Sequence, residues 1–155
     1  MASCNESPLN LVRGPARKPG WAQLIRLGGD RVAILFGELR KSVGKIDGIV
    51  ERLRYSADEA RWVVQYEVGS VPLFTVRIMP GLLEGCMPLS LSESETLLAT
   101  RSLSGNIRSA IRSSASEARL NLVCLPLTDR RTVRSFANFV RAKNRLMSNS
   151  RKDNL

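Results

Sequence analysis

The sequence predicts a single α+β domain in which helices pack on an antiparallel sheet of about five strands, a meander of four plus one. Three observations carry this. Apolar residues before Gly44 recur at helical spacing, whereas Trp62, Val64, Tyr66 and Val68 alternate strictly, the mark of a strand buried on one face. After Ser92 the period returns to helical, and only "LNLVCLP" interrupts it. The links between the first four strands are too short for parallel crossovers, so the strands must run antiparallel. At 155 residues the chain fits one domain.

Taken in order, residues 1–19 are rich in Pro, Ser and Asn and are expected to be a flexible lead-in to a domain spanning 20–147. Trp21, Leu24, Ile25 and Gly28 suggest one or two helical turns. Asp30 is a candidate N-cap for a second helix, whose face is Val32, Phe36, Leu39 and Val43 and whose end is Gly44. "GIVERLRYS", "RWVVQYEVG" and "VPLFTVRIM" follow as strands, with Gly69-Ser70 as the two-residue turn between the last two. A fourth strand is expected around Cys86 to Leu91, reached through Pro80-Gly81. Ser92-x-x-Glu95 matches a capping box, and Ser104 is placed to cap a short helix bearing Ile107, Ala110 and Ile111. The fifth strand precedes Thr128 or Asp129, either of which can cap the final helix. Residues 148–155 are expected to form a disordered tail.

This succession, with the Leu27-Gly28-Gly29 turn, "RWVVQY" on the central strand, "LFTV" on the next, "LSGNIR" at a helix start and a final unit ending in "FVRAK", resembles the YdhG-like proteins, small bacterial α+β proteins of unknown function. The resemblance covers about residues 20–147. It implies the fold and no reaction, so it assigns no catalytic residue to this chain.

Composition narrows the chemistry. The chain has no histidine, which removes the commonest general base and every Ser-His or Cys-His nucleophile pair. Cys4, Cys86 and Cys124 lie far apart, without the paired spacing of a zinc site or a disulfide framework, and the latter two fall in apolar strands as small hydrophobes. No metal, cofactor or enzymatic activity is expected. Ser42-x-x-Lys45 has the letters of an acyl-transfer motif but straddles a helix end, and Glu93 and Glu95, two apart, point away from each other on a helix. No apolar run approaches the ~18 residues of a membrane span, and the first twenty residues lack the apolar core of a signal peptide. A cytoplasmic protein with no membrane partner is expected.

The charge of +10 is unevenly placed: residues 101–155 carry 12 basic side chains against 3 acidic ones. "RRTVRSFANFVRAKNRLM" holds five arginines and no acid. At about 100° per residue Arg130, Arg134, Arg141 and Arg145 fall within about 60° of one another, well away from Val133, Phe136, Val140 and Met147. Like charges at i, i+4 and cations in a first turn both weaken a helix, so local stability does not account for the stripe. The primary expectation is a non-catalytic module binding an anionic small molecule or partner, with Arg108, Arg112 or Arg119 offering bidentate recognition and Trp62 and Tyr66 as pocket wall. The alternative is sequence-independent nucleic-acid binding through the stripe and the tail residues Arg151 and Lys152.

Overall fold

The computed structural model describes residues 18–114 and 120–153. The order of elements is α1 (Trp21–Gly28), α2 (Asp30–Val43), β1 (Ile49–Ser56), β2 (Arg61–Val68), β3 (Val71–Met79), β4 (Leu82–Ser90), α3 (Leu91–Ala99), α4 (Gly105–Ser114), β5 (Leu120–Pro126) and α5 (Arg130–Asp153). The five strands form one antiparallel sheet in the order β1-β2-β3-β4-β5, which is the α+β architecture that the change of period predicts.

The turns follow from residue type. Gly69 and Ser70 both take positive φ, 57° and 64°, the twisted two-residue turn that suits a tight hairpin. Opposite Tyr66 and Glu67 the pairing slips by one residue. Leu73 and Phe74 thereby both enter the core, and Phe74 stacks on Tyr66 with ring centroids 4.4 Å apart. Val64 and Tyr66 are core residues, while Trp62 and Val68 pack against its margin. The opposite face of β2 is also covered at its centre. Gln65 is buried beneath a cross-strand ladder, accepting from Arg54 at 2.9 Å and donating to Glu67 at 2.9 Å, while Arg52 pairs with Glu67 at 3.1 Å. Long charged side chains lying over their own sheet explain that burial.

On the other face α2 contributes Val32, Leu35, Phe36, Leu39 and Val43, and α5 contributes Val133, Phe136, Phe139 and Val140. Phe136 stands edge-on to both Phe74 and Phe139. Its ring lies over Gly85 of β4, so close that no larger residue fits there unmoved.

Four boundaries differ from expectation, each for a local reason. Asp30 is the first helical residue and Gly29 the cap, because Gly29 alone tolerates the φ of 91° that reverses the chain between α1 and α2. The capping box is Ser90-x-x-Glu93, two residues earlier than Ser92-x-x-Glu95. Ser90 still pairs with Leu120 as the last residue of β4, and its hydroxyl accepts from the Glu93 N–H at 3.1 Å while Glu93 accepts from the Ser90 N–H at 3.0 Å. Both spacings satisfy the pattern, and the sheet decides between them. β4 itself begins at Leu82, earlier than the expected Cys86. Residues 148–153 continue α5 where a disordered tail was expected; Arg151 anchors that end by donating to the Val68 carbonyl at 3.0 Å. Of the expected N-terminal lead-in, residues 1–17 lie outside the described residues, and Arg119 does too.

Candidate anion-binding groove and a dithiol cluster

Two helices bring cations together. Glu38, Lys41, Ser42 and Lys45 follow at i, i+3, i+4 and i+7, so they share one face of α2 and its exit; Arg130, Val133 and Arg134 share one face of the start of α5. The two faces line a groove of about 370 Å³ holding four cations and one carboxylate. That carboxylate, Glu38, reaches Arg130 only at 3.9 Å with both side chains well exposed, so it compensates little of the charge.

The arginine stripe thus divides by task. Arg130 and Arg134 face the groove. Arg141 does not: its guanidinium is half-buried and donates to the Ser42 carbonyl at 3.2 Å, the Ser42 hydroxyl at 2.9 Å and Asn138 at 2.9 Å. It closes a carbonyl left open at the end of α2 and pins α2 to α5. Arg145 is exposed and turns back on the Arg141 carbonyl at 3.4 Å. Ser42 and Lys45 of the acyl-transfer lettering both line the groove, with the serine hydroxyl engaged by Arg141.

The fields of the two helix ends differ. Lys41 and Lys45 complement the negative C-terminal end of α2. Arg130 and Arg134 instead add charge to the positive N-terminal end of α5, which favours an anion beside them. Asp129 caps that end, accepting from the Thr132 N–H at 2.8 Å; this bond, with help from the Thr132 hydroxyl and the cation of Arg131, holds its carboxyl below the usual range.

The other expected site residues lie elsewhere. The Arg108 guanidinium donates to the carbonyls of Leu98 at 2.8 Å, Leu103 at 3.2 Å and Thr100, closing the end of α3. Arg112 is exposed on α4. A cleft of about 210 Å³ beside α4 is lined by apolar and uncharged polar residues, including Ile107, Leu125, Leu127 and Phe136, and neither arginine borders it. Tyr66 is buried in the core with its hydroxyl on Glu51 at 2.6 Å; burial foremost, then that bond, push its phenol far above its ordinary value. Trp62 is half-buried, edge-on to Tyr55.

A second cluster, absent from the sequence expectations, lies on the sheet face opposite the described helices. Cys86 of β4 and Cys124 of β5 are directly paired across the two strands. Their sulfurs and a Glu84 carboxylate oxygen lie within 4.8 Å of one another. Arg77 of β3 donates to Glu84 at 2.6 Å and to the Cys124 sulfur at 3.5 Å, and it also pairs with Glu59. Two thiols and a carboxylate are donors that a soft cation such as zinc accepts. The guanidinium bonded to two of the three places a permanent positive charge against that use and in favour of a thiolate. The sequence signal was there in part: Cys86 and Cys124 occupy the same phase of two apolar strands, but only the register makes them neighbours.

No protein-family model, curated protein or solved structure matches this chain.

Proposed function

We propose that this chain is a non-catalytic binding module that holds a compact anionic ligand, a phosphate or carboxylate carried by a small molecule or partner, in the groove between α2 and α5. The observation that carries the reading is the convergence of Lys41, Lys45, Arg130 and Arg134 on one groove, with Glu38 as the only acid in its lining among the described residues. Arg130 sits in the first turn of α5, where it opposes the dipole of its own helix, and Arg134 repeats its charge one turn on, so binding accounts for them better than folding does.

A small ligand is favoured over a nucleic-acid backbone because the arginine stripe is not a continuous track. Arg141 is spent on Ser42, and Arg151 on the Val68 carbonyl. A duplex neutralises many phosphates along an unbroken surface, whereas Lys41, Lys45, Arg130 and Arg134 converge on one compact groove. Among the described residues no helix is long and apolar enough to cross a membrane. We place the module in the cytoplasm, where any disulfide it forms would be transient rather than structural.

Calorimetric titration at low salt tests this, with inorganic pyrophosphate as one probe and a short single-stranded oligonucleotide as the other. Pyrophosphate is expected to bind with a shallow salt dependence, and Lys45→Gln with Arg134→Gln should abolish binding while leaving the circular dichroism unchanged. Oligonucleotide binding with a slope of roughly 0.7 per phosphate neutralised, summed over several phosphates, would replace this reading with the nucleic-acid one. Indifference of both probes to the two substitutions would remove the groove from function.

A further inference from the structure

We propose that Cys86 and Cys124 form a reversible dithiol–disulfide pair that exchanges with small disulfides, Cys124 attacking and Cys86 resolving. The inference is independent of the groove, which lies on the other side of the sheet.

Register makes the bond feasible. Opposed residues of an antiparallel pair have Cα atoms about 4.5–5.5 Å apart, inside the ~4.4–6.8 Å range that disulfides span. β5 is an edge strand whose outer side pairs with no other described strand, and Cys124 on it is half-exposed, whereas Cys86 is fully buried. Access therefore assigns the roles: an incoming disulfide meets Cys124 first.

Electrostatics assign them in the same sense. The neighbouring Cys86 thiol foremost, and the Arg77 guanidinium that donates to the Cys124 sulfur at 3.5 Å, draw Cys124 down to about 7 against the opposing effects of burial and Glu84. Cys86, beside Cys124 and fully buried, is pushed up. The charged groups around the pair are Arg77 on β3, Glu84 on β4 and Glu59 from the β1–β2 turn, which pairs with Arg77. A thiol poised near ambient pH is the effective attacker in exchange.

A cleft of about 330 Å³, lined by Glu59, Arg61, Arg77, Met79 and Glu84, adjoins the pair through Arg77 and Glu84, the two residues bonded to its sulfurs. The Arg61 Nε there is buried and meets no acceptor among the described residues. This cleft has room for the disulfide of a small acidic thiol, whose carboxylate would pair with the Arg61 guanidinium in its wall.

The electron balance closes with that disulfide, RSSR, as oxidant. The Cys124 thiolate attacks one sulfur; a Cys124–S–S–R bond forms, the R–S–S–R bond breaks and RS⁻ leaves. The Cys86 sulfur then attacks the Cys124 sulfur: the Cys86–Cys124 bond forms, the Cys124–S–R bond breaks, and the second RS⁻ leaves with the Cys86 proton as RSH. Two electrons pass from the two protein sulfurs to RSSR.

The test uses the full chain with Cys4→Ser, so that two thiols remain. Reduced protein is mixed with glutathione disulfide at pH 7.5, quenched with an alkylating agent and read by intact mass and peptide mapping. Loss of two hydrogens, with a Cys86–Cys124 cross-linked peptide and no stable adduct, is expected. Adding Cys86→Ser should trap glutathione on Cys124. Adding Cys124→Ser should slow adduct formation severalfold, because the remaining Cys86 thiol is fully buried and pushed up. Thiols that stay reduced without the added variants, or that stop at a mixed disulfide, would overturn the proposal. A zinc ion retained through gel filtration with both thiols shielded would overturn it in favour of a metal centre.

Discussion

Helix α5 carries half of the basic groove, and what seats it on the sheet is the contact between Phe136 and Gly85. A Cβ built on Gly85 would lie 2.5 Å from Cζ of that ring, 2.7 Å from Cε1 and 2.8 Å from Cε2. Carbon atoms in contact sit at about 3.5–4.0 Å, so Gly85→Ala must displace the ring by about 1 Å. The ring has nowhere to go: it is fully buried, with Phe74 at 5.5 Å and Phe139 at 6.1 Å edge-on to it. Overpacking of this kind costs about 1–3 kcal/mol, and the two aromatic walls place this site at about 2–3. For a domain of this size the melting temperature should fall by roughly 4–12 °C. Urea unfolding followed by tryptophan fluorescence should show a lowered midpoint at unchanged slope. Combining Gly85→Ala with Phe136→Leu makes room for the methyl, so the double variant should be more stable than the two single losses imply, by at least about 1 kcal/mol. The same lift of α5 should weaken pyrophosphate binding, since Arg130 and Arg134 move with it. A change below about 0.5 kcal/mol for Gly85→Ala, or strict additivity in the cycle, would refute the reasoning.

Two further outcomes test the interior. Lys143 is buried and bonded to Glu93, so Glu93→Ala should cost about 3–5 kcal/mol by stranding its ammonium, while Lys143→Met should cost far less. Burial raises the Glu93 carboxyl, but Lys143 and the Ser90 N–H together hold it below its ordinary value of 4.5. A depressed folded value means the stabilisation is complete above that pH and is lost as pH falls through the folded value; Lys143→Met, which lacks the partner that depresses Glu93, should therefore lose less of its neutral-pH stability on acidification than the wild type. Arg108→Ala should cost about 1–3 kcal/mol in chemical denaturation by leaving the carbonyls of Leu98, Thr100 and Leu103 without their donor, with no effect on anion binding.

Period and turn chemistry made most of the fold legible. Val32, Phe36, Leu39 and Val43 are all buried, and the Gly69-Ser70 hairpin has the left-handed backbone its residues suggest. Where two local solutions were equal, tertiary pairing chose, as at Ser90 and Ser92. The candidate site was legible only in part. The stripe Arg130, Arg134, Arg141, Arg145 is real as helix geometry, but which arginine faces a groove depends on where α2 lies, and Arg108 was taken by carbonyls of its own neighbourhood. Lys41 and Lys45 looked like ordinary surface residues until α2 and α5 were side by side. The cysteines were hidden for the same reason, since strand register is a long-range property.

The order of the strands also sets a schedule. β1 to β4 are joined by links of two to four residues and can zip together on the microsecond scale of hairpins. β5 reaches β4 only after a detour of 29 residues through α3 and α4, a loop about three doublings longer and so costlier to close by roughly 2 kcal/mol. During synthesis the four-strand meander emerges first and waits with one side of β4 bare, a template for any passing chain until β5 arrives. The last strand home is the one that brings Cys124 against Cys86, so the moment those two sulfurs become able to cross-link marks the closing of the sheet.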